Sequence, residues 1–334
     1  MRVIKKASRA NPAGGRQALA NPFRWSKSRA AVFSKCRRKY YLRYYHHWGG
    51  WEQDADPSVR LSYILGKMIT LPALVGISVH DTIGSHFSAL RNGQTRSLPP
   101  ERPVEMMRLR WKEAREGLWR ADPKRHPPIF ELYYDRIPPE EELKSWAEKA
   151  RRAVTNLTGM EIYHRLNSRP REDLIWAAVP GAGFSERDYF AVGPFEAIAL
   201  PDLIFREGGE TTIVDWKTGQ EDEGDRLQMG AAGLWAAQRF GTAADGLKAR
   251  IVYLSEGREE EFGIESGLIA KVERIVRGEM EAMAAYLEDK ENNIPGGREE
   301  FPKIENRRLC GWCEFQEICL KEENDDQEQE VGSP

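Results

Sequence analysis

Cys310, Cys313 and Cys319 form a C-x2-C-x5-C cluster close to the C-terminal end of this 334-residue chain, and the one other cysteine, Cys36, lies near the N-terminus. Three clustered thiols fall one short of a tetrahedral ligand set. Cys36 is the only thiol left to complete it. If one group takes all four, the fold must bring its two ends together. It then closes a loop of more than 270 residues, at an entropic cost that grows by only about 0.6 kcal/mol per doubling of length. Whatever chemistry the chain performs is then expected between the two halves of the clasp.

An apolar content of 40% supplies a sizeable core. The most apolar run, 64–79, is broken by Gly66, Lys67, Pro72 and Gly76, so no membrane span is expected. The N-terminus shows no continuous apolar h-region. These features predict a cytoplasmic, reducing location, where dispersed cysteines are metal ligands more often than disulfides. Net charge is −2, but its distribution is uneven: residues 1–60 carry 14 Lys/Arg against 3 Asp/Glu. Residues 1–22 read either as a disordered, solvated basic arm or as a phosphate-contacting segment. An Arg-rich, acid-poor start also suits an organellar transit segment. Residues 321–334 read as an acidic tail.

Ser26 or Ser28 is placed to cap a helix running through Ala31, Cys36, Tyr40 and Tyr44. Within it, Arg37, Arg38, Lys39, Tyr40 and Tyr41 interleave cations with aromatics, a pattern that can neutralise phosphates and stack bases. The competing reading is a core helix with buried tyrosines and a solvated charged face. Residues 61–91 read as helical with breaks at Pro72 and Gly76, and 101–166 as helices separated by the proline-rich 123–139. The texture then changes. Strands are expected at 174–179, 189–192, 196–205 and 211–217, with a Gly208-Gly209 turn between the last two. A helix over 225–240, a strand over 249–254 and a long amphipathic helix over 265–288 follow. The fold class is α/β, a mixed central sheet flanked by helices, with a helical subdomain inserted at about 95–170 and a core at about 171–256.

The chemistry concentrates at Pro201-Asp202, after an apolar strand, and Ile213-Val214-Asp215-Trp216-Lys217. In a strand, Asp215 and Lys217 project from one face about 6 to 7 Å apart, and Val214 and Trp216 from the other. The turn brings Asp202 alongside. Two carboxylates and an ammonium then share one sheet face. Carboxylates bind hard cations such as Mg2+, which polarise phosphoryl oxygens, and an ammonium stabilises developing negative charge. An isolated D-x-K is most often a plain ion pair. Here the upstream Pro-Asp and the apolar lead-in set it apart.

These residues resemble the signature of the PD-(D/E)XK nuclease superfamily, which has a restriction-endonuclease-like core. Gly76-x-x-x-His80 resembles the G-x-x-x-H motif of its RecB-like branch, whose histidine is a metal ligand. Gln228 stands where that branch carries Q-x-x-x-Y, although the fourth residue on is Ala232, with Trp235 a candidate replacement aromatic. The C-terminal cysteine spacing, with Cys36 ahead of the core, resembles the iron-sulfur staple of AddB-type and CRISPR-associated adaptation nucleases. The resemblance implies a nuclease domain over 23–320, with the cysteine cluster at 310–319. It also implies Mg2+ or Mn2+ held by His80, Asp202, Asp215 and the Trp216 carbonyl, and catalysis through Asp202, Asp215, Lys217 and Gln228. It adds a structural [4Fe-4S] cluster on the four cysteines, for which Zn2+ is the alternative that ligand chemistry leaves open. The implied substrate is single-stranded DNA or duplex ends. With no G-x4-G-K-[ST] loop in the sequence, unwinding falls to a helicase or a recombination or adaptation partner. A non-catalytic DNA-binding or partner protein on the same fold is the rival reading. Oligomeric state is left open.

Overall fold

The computed structural model describes residues 21–182 and 184–319. The expected basic arm and acidic tail fall outside these residues, except for Asn21 and Pro22. Asn21 is docked: its Nδ2 donates to the Tyr44 carbonyl at 2.8 Å, and its own carbonyl accepts from Asn293 Nδ2 at 2.8 Å.

The chain begins with β1 (Arg24–Trp25), α1 (Lys27–Lys35) and α2 (Arg37–Tyr41), which runs into a π-helical turn over Leu42–His46. The helix expected across Cys36 is interrupted there. Cys36 adopts extended φ and ψ of −158° and 119°, ending α1 and capping α2, where its Sγ accepts from the Lys39 amide at 3.4 Å. After α3 (Pro57–Gly66) comes α4 (Leu71–Arg91), which is continuous. The expected breaks fail for local reasons. Pro72 occupies the first turn, where no N–H is needed, and Gly76 is accommodated because α4 packs closely at that point.

Four helices follow: α5 (Arg102–Arg115), α6 (Phe130–Tyr133), α7 (Glu140–Gly159) and α8 (Glu161–Asn167). Then come β2 (Leu174–Ala177), β3 (Phe190–Val192), β4 (Phe195–Ala197), β5 (Leu203–Glu207) and β6 (Glu210–Lys217). The strand expected over 196–205 is two strands in two sheets. The chain leaves β4 and crosses to β5 at Pro201, which has no amide hydrogen to give a ladder. The end of the chain carries α9 (Gly224–Phe240), β7 (Leu247–Tyr253), β8 (Arg258–Gly263), α10 (Ser266–Ala284) and a short hairpin of β9 (Leu287–Asp289) and β10 (Ile294–Pro295).

The central sheet has the order β2-β5-β6-β7-β8. Only β6 and β7 pair in parallel, through the α9 crossover; the other pairs are antiparallel. A smaller sheet has the order β1-β4-β3. Both faces of the central sheet are covered, and β6 is buried without a break from Thr212 to Trp216. Leu203, Val214, Trp216 and Val252 pack with residues of α4 and α7, whereas Ile204, Ile213, Ala249 and Ile251 pack with α9 and α10. The helical segment expected as an inserted subdomain therefore shares one core with α4 and the sheet.

Candidate active site

Asp202 lies one residue before β5 and is held as if in the strand. Its amide donates to Val214 O at 3.0 Å, and its carbonyl accepts from the Ala178 amide at 2.8 Å. Asp202 Oδ2 accepts from the Trp216 amide at 2.8 Å, which fixes the carboxylate against β6. Oδ1 sits 3.1 Å from His80 Nδ1 on α4. On β6, Asp215 is 5% exposed. Its Oδ1 accepts from Gln228 Nε2 at 3.0 Å. Lys217 Nζ lies 2.9 Å from Asp215 Oδ2, 3.2 Å from Asp225 Oδ1 and 2.8 Å from Gln228 Oε1. Trp216 points the other way, fully buried and stacked on Phe87 at 5.7 Å between ring centroids. His80, Asp202, Asp215, Lys217 and Gln228, from four separate segments, thus meet at one end of the central strands.

The electrostatics are those of a charged cluster removed from water. Burial works against a charge on His80, but the Asp202 and Asp215 carboxylates outweigh it and push its pKa up to about 9. Burial, reinforced by neighbouring Asp202 and opposed by Lys217, pushes Asp215 up to about 6. Lys217 is also raised: burial disfavours its charge, and Asp215 and Asp225 more than offset that. The ammonium is therefore retained, which suits it to stabilising negative charge rather than to accepting a proton.

Asp215 Oδ2 is buried, and among the described residues its neighbour is the Lys217 ammonium at 2.9 Å. A buried carboxylate oxygen held only by an ammonium, beside a second carboxylate and an imidazole, belongs to a donor set that fits a hard divalent cation. Among the described residues, no three His, Cys, Asp or Glu side chains form a ready-made metal-ligand group.

Asp225 was not anticipated from the sequence. It sits three residues before Gln228, on the same face of α9, and is 4% exposed. Lys27, on α1, reaches the same place and carries no local sequence signal. Trp235 does not substitute for the missing aromatic. It is buried in the α9 core, against Trp176, with Nε1 donating to Arg187 O.

The aromatic-cationic stretch of α2 loses one of its expected stacking rings. Tyr40 is fully buried, with its hydroxyl on Arg29, and so has no face for a base. Tyr41 is half-buried against Phe301, Arg38 Nε donates to Phe301 O, Lys39 is ion-paired with Glu314, and Arg37 lies 3.6 Å over the Phe33 ring. Tyr41, Arg38 and Lys39 thereby tie α2 to the C-terminal segment. That tie brings the cysteines together. Cys36, Cys310, Cys313 and Cys319 line one cavity of about 310 Å³, edged by Lys35, Lys39, Lys303 and Arg307. All four thiols are free. Burial, then Glu314, pushes Cys313 up to about 12, and burial also raises Cys319. The four thiols share this cavity without closing into a ready-made metal-ligand group, and burial favours the neutral thiol at Cys313 and Cys319.

A β-sheet core that meets two acidic strand ends and a lysine, with a histidine supplied by a helix, defines a nuclease-type fold. The model of the PD-(D/E)XK nuclease superfamily matches residues 24–320, and the chain belongs to that superfamily. No individual curated protein matches it. Members of the superfamily are nucleases, which typically use Mg2+ or Mn2+. No described helix is long and apolar enough to cross a membrane.

Proposed function

We propose that this protein is a metal-dependent DNase of the RecB/AddB-like branch, hydrolysing phosphodiesters in single-stranded DNA or at duplex ends. The observation that carries the reading is the convergence of His80, Asp202, Asp215 and Lys217 at one end of the central strands, with the Asp215 carboxylate buried. His80, Asp202, Asp215 and the Trp216 carbonyl would hold Mg2+ or Mn2+. When bound, the ion polarises the scissile phosphoryl group and acidifies water at the site. Lys217, positioned by Asp225 and Gln228, orients the attacking water and stabilises charge on the phosphoryl oxygens. Gln228 fixes the Asp215 carboxylate. In-line displacement then leaves a 5′-phosphate and a 3′-hydroxyl. A helicase or recombination or adaptation partner would supply the unwound substrate. Cleavage of single- and double-stranded oligonucleotides with Mg2+ or Mn2+ tests the assignment. Wild type should cut, and Asp215→Ala and Lys217→Ala should lose at least 100-fold. A wild-type protein that cuts neither substrate with either metal refutes it.

The four cysteines are assigned to a structural [4Fe-4S] cluster that clasps the two ends of the chain. Support comes from their shared cavity and its cationic rim, which complements the net negative charge of a thiolate-ligated cluster. Zn2+ satisfies the same donor set. A brown protein with broad absorbance near 400 nm excludes zinc, and a colourless protein with stoichiometric zinc excludes the cluster.

A further inference from the structure

We propose that Lys27 is a positioning residue of the hydrolytic site, acting through the Gln228 amide on the Asp215 carboxylate; this rests on the assignment of Asp215 above. Lys27 Nζ lies 3.3 Å from Gln228 Oε1, 3.5 Å from Asp225 Oδ1 and 3.9 Å from Asp222 Oδ1. Two of these acceptors, Gln228 Oε1 and Asp225 Oδ1, also hold Lys217 Nζ. Two ammonium groups thus converge on one amide oxygen. The two ends of an amide are told apart by their partners. Cations at Oε1 oblige Nε2 to face the other way, where it donates to Asp215 Oδ1. That bond fixes the rotation of the carboxylate, whose Oδ2 is buried and faces Lys217 Nζ at 2.9 Å. Without Lys27, the amide oxygen would be held by Lys217 alone.

Lys27 is not delivered there by chance. Two residues before it, Trp25 is fixed in β1, and its Nε1 donates to Glu279 at 2.7 Å. Two residues after it, Arg29 is 5% exposed and donates to the Tyr40 and Tyr45 hydroxyls. On the receiving side, the chain is stripped of a side chain. A Cβ built on Gly224 would stand 3.2 Å from Lys27 Cε and Nζ and 2.7 Å from Asp222 Oδ1. Alanine at 224 would therefore press on the ends of the Lys27 and Asp222 side chains and displace them. A surface ion pair held only by its own charges would not require the anchors at Trp25 and Arg29.

The test combines DNA hydrolysis with Mn2+ binding in the absence of DNA, read from loss of the free-ion paramagnetic resonance signal. Residues that orient a metal ligand typically cost about 10- to 100-fold in metal affinity or activity when removed. Gln228→Leu should fall in that range. Lys27→Met should weaken Mn2+ binding at least threefold and lower kcat about tenfold, with KM for DNA within twofold. Lys27→Arg should recover most of the loss. The Lys27→Met/Gln228→Leu double variant should be no worse than Gln228→Leu alone, because both act through one amide. Gly224→Ala, which displaces Lys27 without removing it, should weaken Mn2+ binding in the same direction and covers the case in which Lys27→Met does not fold. Unchanged Mn2+ binding in both Lys27→Met and Gly224→Ala overturns the proposal, as does full additivity in the double variant. A raised KM with unchanged kcat also overturns it, assigning Lys27 to substrate contact instead. If wild type bound Mn2+ but cut no DNA, the nuclease reading would fail while the Mn2+ titrations still decided the role of Lys27.

Discussion

His80 lies midway between two glycines of α4, and the two make opposite predictions when replaced by alanine. A Cβ at Gly84 would stand 3.0 Å from the Ala178 carbonyl oxygen, whereas one at Gly76 would stand 3.3 Å from Thr218 Oγ1. Alanine in a helix interior gains about 1 kcal/mol over glycine. At Gly76 the neighbour is a hydroxyl on a rotatable side chain, so Gly76→Ala should be stabilised by about 0.5 to 1 kcal/mol and keep its activity within twofold. At Gly84 the neighbour is backbone. The Ala178 amide is also bonded to the Asp202 carbonyl at 2.8 Å, so it cannot retreat alone. Moving a contact from 3.0 Å out to an ordinary 3.4 Å requires a shift of about 0.4 Å. Overpacking of this kind costs about 1 to 3 kcal/mol, which outweighs the propensity gain and leaves a net loss of about 1 kcal/mol. The same shift changes the 3.1 Å spacing of His80 and Asp202. If a 1 Å misplacement costs about 100-fold, 0.4 Å costs roughly sixfold. Urea unfolding and Mn2+-dependent hydrolysis of the two variants side by side measure both quantities. A Gly84→Ala protein more stable than wild type and equally active would refute the reasoning, as would a Gly76→Ala protein damaged to the same extent.

Two other expectations follow from buried groups. His47 is 9% exposed, and burial together with Lys67, Arg43 and other cations pushes its pKa down from 6.5 to about 4. The unfolded chain therefore binds this proton first, and stability should be lost as pH falls from 6.5 to 4, by roughly 3 kcal/mol from this residue. His47→Phe, whose ring can keep the parallel stack on Tyr63, should flatten that acid limb in urea melts at stepped pH; an unchanged limb would show that His47 is not its source. Cys36→Ala should lose the absorbance near 400 nm and lower the melting temperature by several degrees; intact absorbance would remove Cys36 from the ligand set. Asp225→Asn should lower hydrolysis at least tenfold by loosening Lys217, and wild-type rates in that variant would show that Gln228 alone suffices.

The parts of the fold written in apolar periodicity were legible. β6 is buried on both faces, and its run of Ile213, Val214 and Trp216 stands out in the sequence. Asp215 and Lys217 were legible with it, because a two-residue repeat decides which face each side chain takes. β8 was not legible, because its Arg-Glu-Glu-Glu sequence carries no apolar alternation. It forms through its ladder with β7 and through ion pairs of Arg250 with Glu259 and Glu261, and its charges suit an edge strand. Tyr40 and Tyr41 were ambiguous for a different reason. A tyrosine beside an arginine has the same local pattern whether the ring is buried or stacks a base, and only the arrival of Phe301 from the far end of the chain decides between the two. Lys27 and Asp225 lie 198 residues apart, so no local pattern could have joined them.

That long-range pairing bears on why a cysteine should stand ahead of a nuclease core. Lys27 opens α1, and Cys36 closes it. Nine helical residues separate the two ends by about 13 Å. One end of this helix donates to Gln228 beside Asp215, and the other places a thiol in the cavity of Cys310, Cys313 and Cys319. Arg29 anchors the helix between them, through tyrosine hydroxyls and the carbonyls of Pro22 and Arg24. The carboxylates and the lysine come from β5 and β6 regardless of how the chain begins. What the N-terminal segment adds is the orientation of the groups around them, and that orientation is only as firm as the helix that carries Lys27. The proposed cluster would fix the far end of α1 to cysteines some 280 residues away and so shield a short helix from fraying. The cysteine cavity and the carboxylate site therefore share one structural element, α1, although their side chains belong to separate places in the fold.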